Sequence, residues 1–248
     1  MKLAVVGKGG SGKTTTAAVI ARVVARTGVR VVALDCDTNP NLGISLGLGD
    51  EETERLAAMR QALDEGAQEH APSWDELLDV FGADAPDGVR LAVVNVIENP
   101  EPGCPCCGLS PEQLLRCADF GGDVVIADFE AGLGTLTRLE GSHVDVVLVV
   151  LEATAKSVEV GERAADLVRG HGIGRLIVVA NQVRDDADLA AVRRRFPETE
   201  IVVVPYDDSI VEADRRGAAP LDLTPDAPAV RALAELAGRL ATPAHQPS

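Results

Sequence analysis

Two patterns alternate along the chain. Short runs of unbroken apolar residues are separated by stretches in which apolar residues return every three or four positions. The unbroken runs predict strands buried on both faces, as in a parallel sheet. They make up most of residues 3–6, 30–35, 89–97, 123–128, 144–151, 175–180 and 201–204, where Arg30, Asp35, Asp123, Asp128 and Arg175 bound the apolar run and Arg90, Asn95 and Asp145 interrupt it. The periodic stretches predict helices. The first covers residues 13–27, with Ala17, Ala18, Ile20, Ala21, Val24 and Ala25 on one face and Gly28 as its stop. Others are expected at 51–65, at 73–81 with Ser73 as N-cap, from about 110–112, at 154–169 closed by Gly170, and at 226–240. Strands alternating with helices predict an α/β fold, a single doubly wound and mainly parallel sheet with helices on both faces. One domain is expected over residues 1–241, with a flexible tail at 242–248. Residues 42–49 read as a glycine-punctuated apolar loop. That loop opens a helical insertion over 42–88 that carries no assignable chemistry.

Composition narrows this picture. Apolar residues make up 46% of the 248 positions and aromatics only 2%, so the core is built from Val, Leu, Ile and Ala. A formal charge of −16 argues against a broad electrostatic hold on nucleic acid or anionic lipid. No apolar run reaches the length of a membrane span, and the first residues enter a strand directly. A cytoplasmic, reducing setting is therefore expected. Five cysteines there are ligands, reactive groups or small core residues before they are disulfides. His70, His143, His171 and His245 show no paired ligand spacing.

The strongest motif lies where the first strand meets the first helix. Gly7, Gly12, Lys13 and Thr14 meet the phosphate-loop pattern G-x-x-x-x-G-K-[ST] in a strand–loop–helix context. Backbone N–H groups of Gly9, Gly10, Ser11 and Gly12 can curl around phosphate oxygens, helped by the positive end of the following helix. Lys13 is expected to reach the β/γ-phosphates of ATP, Thr14 to complete a Mg²⁺ shell, and Thr15 to extend the cradle. Residues 123–128 end on Asp128 opposite this loop, which fits a carboxylate that holds Mg²⁺ through water. Gly132 would then let backbone approach the γ-phosphate.

Lys8 exceeds what a minimal loop requires. With it the string resembles the deviant Walker A class, K-G-G-x-G-K-[ST]-[ST], whose members include MinD, ParA, the nitrogenase iron protein and metal-insertion ATPases. That resemblance implies a P-loop NTPase fold and an ATP-sandwich homodimer in which Lys8 reaches the partner's nucleotide. The plain alternative is a solvated lysine. The acidic turn Asp35-Cys36-Asp37-Thr38 resembles the first switch stretch of the class and implies that Asp37 orients the attacking water, although Thr38 replaces the common proline. Asn181 matches the asparagine that meets the adenine edge, and Pro205 and Asp207 match the segment beside the base.

Cysteine spacing adds a second kind of chemistry. The loop at 99–108 carries Cys104, Cys106 and Cys107, too concentrated for ordinary core use. Cys104 and Cys106 can aim two thiolates at one point, half of a closed tetrahedral site, and a two-fold dimer would supply the rest. Zn²⁺, Ni²⁺ and an iron–sulfur cluster all accept such ligands. Cys107 could replace one ligand or stand by. A redox disulfide and unligated thiols are the alternatives. Cys36 and Cys117 read as small buried residues. The G-C-x-C loop and the string Asp128-Phe129-Glu130-Ala131-Gly132 resemble the CooC-type ATPases that assist nickel insertion into carbon monoxide dehydrogenase. That resemblance implies an ATP-hydrolysing dimeric metallochaperone with an apo-metalloenzyme client, carbon monoxide dehydrogenase first. A ParA- or MinD-like positioning ATPase and a cluster-carrying redox ATPase similar to the nitrogenase iron protein are the rivals.

Overall fold

A computed structural model describes residues 1–64, 78, 82–94, 111–117, 120–130, 134, 136–139 and 144–241. Eight strands form one sheet: β1 Lys2–Gly7, β2 Val31–Cys36, β3 Ala83–Ala85, β4 Val89–Val93, β5 Val124–Phe129, β6 Val146–Leu151, β7 Arg175–Val183 and β8 Glu200–Pro205. Their order is β3-β4-β2-β5-β1-β6-β7-β8. Every pairing is parallel except β3 with β4, which is antiparallel. The expected doubly wound α/β sheet is therefore the observed one. Its strand order reverses direction around β1, the place where open α/β sheets bind ligands at their carboxyl ends.

The period of two along each strand divides the core. Leu3, Val5, Val31, Ala33, Val124 and Ile126 pack on one side, while Ala4, Val6, Val32, Leu34, Val125 and Ala127 pack on the other. The first side is covered by α1 Lys13–Ala25, α2 Leu42–Leu46, α3 Asp50–Asp64 and the last helix of the described chain, Pro228–Ala241. That last helix buries Val230, Leu233, Leu236, Ala237 and Leu240, so its apolar face belongs to the core and is closed to a membrane. The second side is covered by α4 Pro111–Cys117, by α5 Ala155–Gly170 and by α6 Asp186–Arg195 through Val192.

Several local expectations need correction. Residues 42–46 are helical, not loop. The Asp35 carboxylate accepts the Leu42 N–H at 2.8 Å, and Gly47, at φ 98°, closes the turn. Within 42–88 lies an edge strand, β3, that three residues could not announce by pattern. β7 runs past residue 180 to Val183, with a register shift where Gln182 takes φ 57°. Helix α6 and α7 Asp208–Arg215 had no assignment from the apolar pattern. They start because Asp185 and Asp207 cap them, accepting backbone N–H groups of Ala187 and Ser209 at 2.9 and 3.0 Å. The strand expected at 89–97 is described only to Val93. Of the helix expected at 73–81, only Leu78 is described, and it is buried.

Among the described residues no helix is long and apolar enough to cross a membrane.

Candidate functional site

The loop between β1 and α1 has its shape set by close approach. Gly7 sits where a Cβ would lie 2.2 Å from the Val150 carbonyl oxygen, so only glycine lets β1 turn away beside β6. Gly12 takes φ 94° as the N-cap of α1, and a Cβ there would meet Asn181 Nδ2 at 2.2 Å. The Ser11 N–H donates to the Lys8 carbonyl at 3.2 Å. Lys13 is 7% exposed, and among the described residues its Nζ makes only a long hydrogen bond, 3.4 Å, to that same carbonyl. An ammonium held this far from water with so little pairing is poised for an anion.

The neighbouring strand ends supply carboxylates. Asp35 of β2 and Asp128 of β5 are register partners, buried side by side on the face that carries α1. Burial pushes the Asp128 carboxyl up to about 7, and the Thr14 side-chain hydrogen bond only partly offsets that. Among the described residues Asp128 Oδ1 is buried without a partner, as is Ser11 Oγ. Burial likewise pushes Asp35 up to about 6, against the N–H groups of Leu42 and Asp37 that it accepts. An orphaned buried carboxylate oxygen beside a threonine hydroxyl is the donor set a hard, oxygen-seeking cation requires. The residues present therefore fit Mg²⁺, and Thr14 and Asp128 are the pair that would hold it.

Asp37 leaves the sheet just after β2, half-buried, and accepts the Asn39 N–H at 2.9 Å in an Asx turn. Thr38 next to it donates to Glu130 Oε1 at 3.1 Å, so the two turns that come after β2 and β5 touch. Cys36 is buried, and its thiol is pushed well up by that burial and then by the charges of Asp35, Asp128 and Glu112. It stays a neutral packing group.

A cleft of about 320 Å³ runs from the loop to the ends of β7 and β8, lined among others by Gly12, Thr15, Asn181, Pro205, Tyr206 and Asp207. Gly10, Lys13 and Thr14 line it too. Gly10, Gly12, Lys13, Thr14 and Thr15 thus share one cavity with Asn181, Pro205 and Asp207, whereas Lys8, Gly9, Ser11, Asp37 and Asp128 are not in its lining. Asn181 has a task that the sequence did not show: its Nδ2 donates to the Ser11 carbonyl at 2.7 Å and so braces the loop. That bond uses one of the two amide N–H groups and leaves the second, with the side-chain carbonyl oxygen, free of that bond.

Asp207 also has a structural duty. It caps α7 through Ser209 and accepts the Ala229 N–H at 3.4 Å, which ties the last helix to the cleft. Tyr206, with the Arg184 guanidinium 3.7 Å from its ring centre, and the left-handed Gln182 were not foreseen. Only the segment around Pro205 hinted at them.

Lys8 is half-buried at the rim, and Gly9 is exposed. Gly132, Cys104, Cys106 and Cys107 lie outside the described residues, as does the side chain of Cys117. Among the described residues no group of three His, Cys, Asp or Glu side chains is placed to hold a metal ion.

Residues 3–221 match the family model described as the CobQ/CobB/MinD/ParA nucleotide binding domain. The chain belongs to that family. It is a P-loop ATPase of the MinD/ParA class. An uncharacterised ATP-binding protein of Methanocaldococcus jannaschii is 32% identical over 232 residues, covering 88% of this chain and 90% of that one. The carbon monoxide dehydrogenase accessory protein CooC of Rhodospirillum rubrum is 28% identical over 244 residues, 91% of each chain. Among solved structures, the MinD cell division protein of Aquifex aeolicus superposes with a TM-score of 0.69 over 96% of this chain and 95% of its own, at 21% identity. That last likeness speaks to fold.

Proposed function

We propose that this ATPase is a dimeric metallochaperone that uses ATP to load a metal, nickel by first preference, into an apo-metalloenzyme. Carbon monoxide dehydrogenase is the first candidate client. One observation carries the reading: the chain pairs end to end with a carbon monoxide dehydrogenase accessory protein, and it places Cys104 and Cys106 in the segment between β4 and α4. The general family explains the nucleotide site but gives no reason for clustered thiols there.

In this reading Lys13 holds the β/γ-phosphates and the loop amides of Gly9, Gly10, Ser11 and Gly12 cradle them, with Thr15 at the mouth. Asp37 orients the attacking water, and Gly132 tracks the γ-phosphate. Mg²⁺, when bound, neutralises developing phosphate charge. Asn181, Pro205 and Asp207 form the base end of the cleft. Lys8 crosses to the nucleotide of a second copy, which brings two Cys104/Cys106 pairs together as a four-thiolate site for Ni²⁺ or Zn²⁺. Cys107 is a reserve thiol beside them. The cargo metal is a substrate of the cycle: it is held while ATP bridges the protomers and released once the γ-phosphate is lost.

The test is client activation. Apo-carbon monoxide dehydrogenase incubated anaerobically with Ni²⁺, Mg-ATP and this protein should gain activity faster than with Ni²⁺ alone. The Cys104→Ser/Cys106→Ser variant should give no acceleration while retaining ATP hydrolysis. Equal acceleration by the variant would remove the thiols from the function and favour a ParA- or MinD-like ATPase of the positioning kind.

A further inference from the structure

Helix α4 comes directly after the cysteine loop, and its first turn holds an unusual side chain. Glu112 is 4% exposed, and its Oε1 accepts from Arg138 Nε at 2.5 Å. Its other oxygen, Oε2, is buried with no hydrogen-bond partner among the described residues. A buried carboxylate oxygen left bare favours a second arrangement that would satisfy it. Arg138 offers that arrangement. Its guanidinium meets the carboxylate through Nε alone, whereas the same fork can take both oxygens side by side. More than half of the Arg138 side chain is exposed, which leaves it room to shift.

The positions of the two partners give the shift a cause. Arg138 closes the 3₁₀ turn Leu136–Arg138, eight residues beyond Glu130 in the segment that leaves β5 at the nucleotide site. Glu130 accepts from Thr38 of the turn after β2, so the turns after β2 and β5 touch eight positions before Arg138 in the chain. The far end of α4 is pinned separately. Lys2 Nζ donates to the Leu115 carbonyl and stands 5.4 Å from the centre of the Phe120 ring. With one end fixed on β1 and the other on the segment after β5, α4 responds at its N-terminal turn, where the cysteine loop joins.

We propose that Glu112 and Arg138 form a two-position latch, one-contact or two-contact, through which the γ-phosphate state of the nucleotide reaches helix α4. What α4 then relays, the readiness of the cysteine loop, rests on the function proposed above; the latch itself does not. Both are positioning residues, and neither touches nucleotide.

The test is amide hydrogen exchange over residues 111–117 of the full chain, with Mg-ADP and with the Mg complex of adenylyl imidodiphosphate. Wild-type exchange should differ between the two nucleotides by at least ~5-fold, the low end of ordinary coupling. Arg138→Gln, whose amide can still donate one hydrogen bond to the buried Glu112 carboxylate but cannot fork, should bring the ratio to within ~2-fold of unity without lowering basal ATP hydrolysis. Glu112→Gln should do the same, and Arg138→Lys, which keeps charge but cannot fork, should recover only part of the ratio. A wild-type ratio near one, or a ratio kept by Arg138→Gln, overturns the latch. Metal content read on the same samples separates the two claims: absence of thiol-bound metal with the exchange difference intact would sink the metallochaperone reading and leave the latch standing.

Discussion

Asp128 shows how a functional residue costs the fold stability. Its carboxyl stands near 7 because burial disfavours the ionised form, while in the unfolded chain it titrates near 3.8. The native state therefore keeps a proton that the unfolded chain has released. This contribution to stability is fully present below the unfolded value and is lost as pH rises through about 7. Asp35, raised to about 6, acts with the same sign. In Mg²⁺-free buffer, Asp128→Asn should raise Tm, with a gain that grows between pH 5 and pH 7 and levels off above. A gain that does not change with pH would contradict the burial argument. The same variant should lose Mg-ATP hydrolysis. At this scale the sequence was readable where chemistry fixes spacing, since Lys13 and Thr14 stand in the loop that lines the cleft, and where a carboxylate stands near a strand's end, as Asp128 does one residue before β5 closes on Phe129. It was silent on Asn181 bracing Ser11 and on Gln182 at φ 57°, because a contact across 170 positions and a bulge leave no local pattern.

Elements differ in how far their own residues determine them. Strands β1, β2, β5 and β6 were legible since a short, unbroken apolar run bounded by turn residues fits little besides a strand buried on both faces. Helices α2, α6 and α7 were not, because carboxylates at their N-termini, more than apolar periodicity, set them: Asp35, Asp185 and Asp207. Helix α1 depends on both its ends. At its start, Gly12→Ala would force a Cβ into the left-handed region and against Asn181, at a cost of about 1–2 kcal/mol before any clash. We expect it to weaken ATP binding at least tenfold by equilibrium titration while the sheet stays folded. Near its other end, Arg22 is 3% exposed and binds Asp87 at 2.6 Å and Asp222 at 2.7 Å, joining α1 to the turn after β3 and to the short helix Pro220–Leu223. Asp222 is half exposed, so solvent screening discounts that arm. Arg22→Met should still cost about 2 kcal/mol, seen as a Tm fall of roughly 4–8 °C. An unchanged Tm would mean that α1 is held by its apolar face alone.

For the whole molecule, the parallel strands β1, β2, β5, β7 and β8 end on the same side of the sheet, which gathers the described candidate residues there, with Lys8 half-buried beside them. The −16 charge sets a repulsion that two copies must overcome, so association should be weak with ADP and should strengthen when ATP and Mg²⁺ bridge the protomers. Lys8→Ala should abolish the ATP-dependent dimer in sedimentation velocity and leave monomer nucleotide binding within about twofold. A variant that still dimerises would remove Lys8 from the interface. The measurement that bears most directly on the metallochaperone account is metal content of the anaerobically purified protein, held dimeric by a slowly hydrolysed ATP analogue. The account predicts one thiol-bound Ni²⁺ or Zn²⁺ per two chains, lost in Cys104→Ser/Cys106→Ser and released with ADP. No bound metal in any nucleotide state, with hydrolysis unaffected by the double substitution, would contradict it.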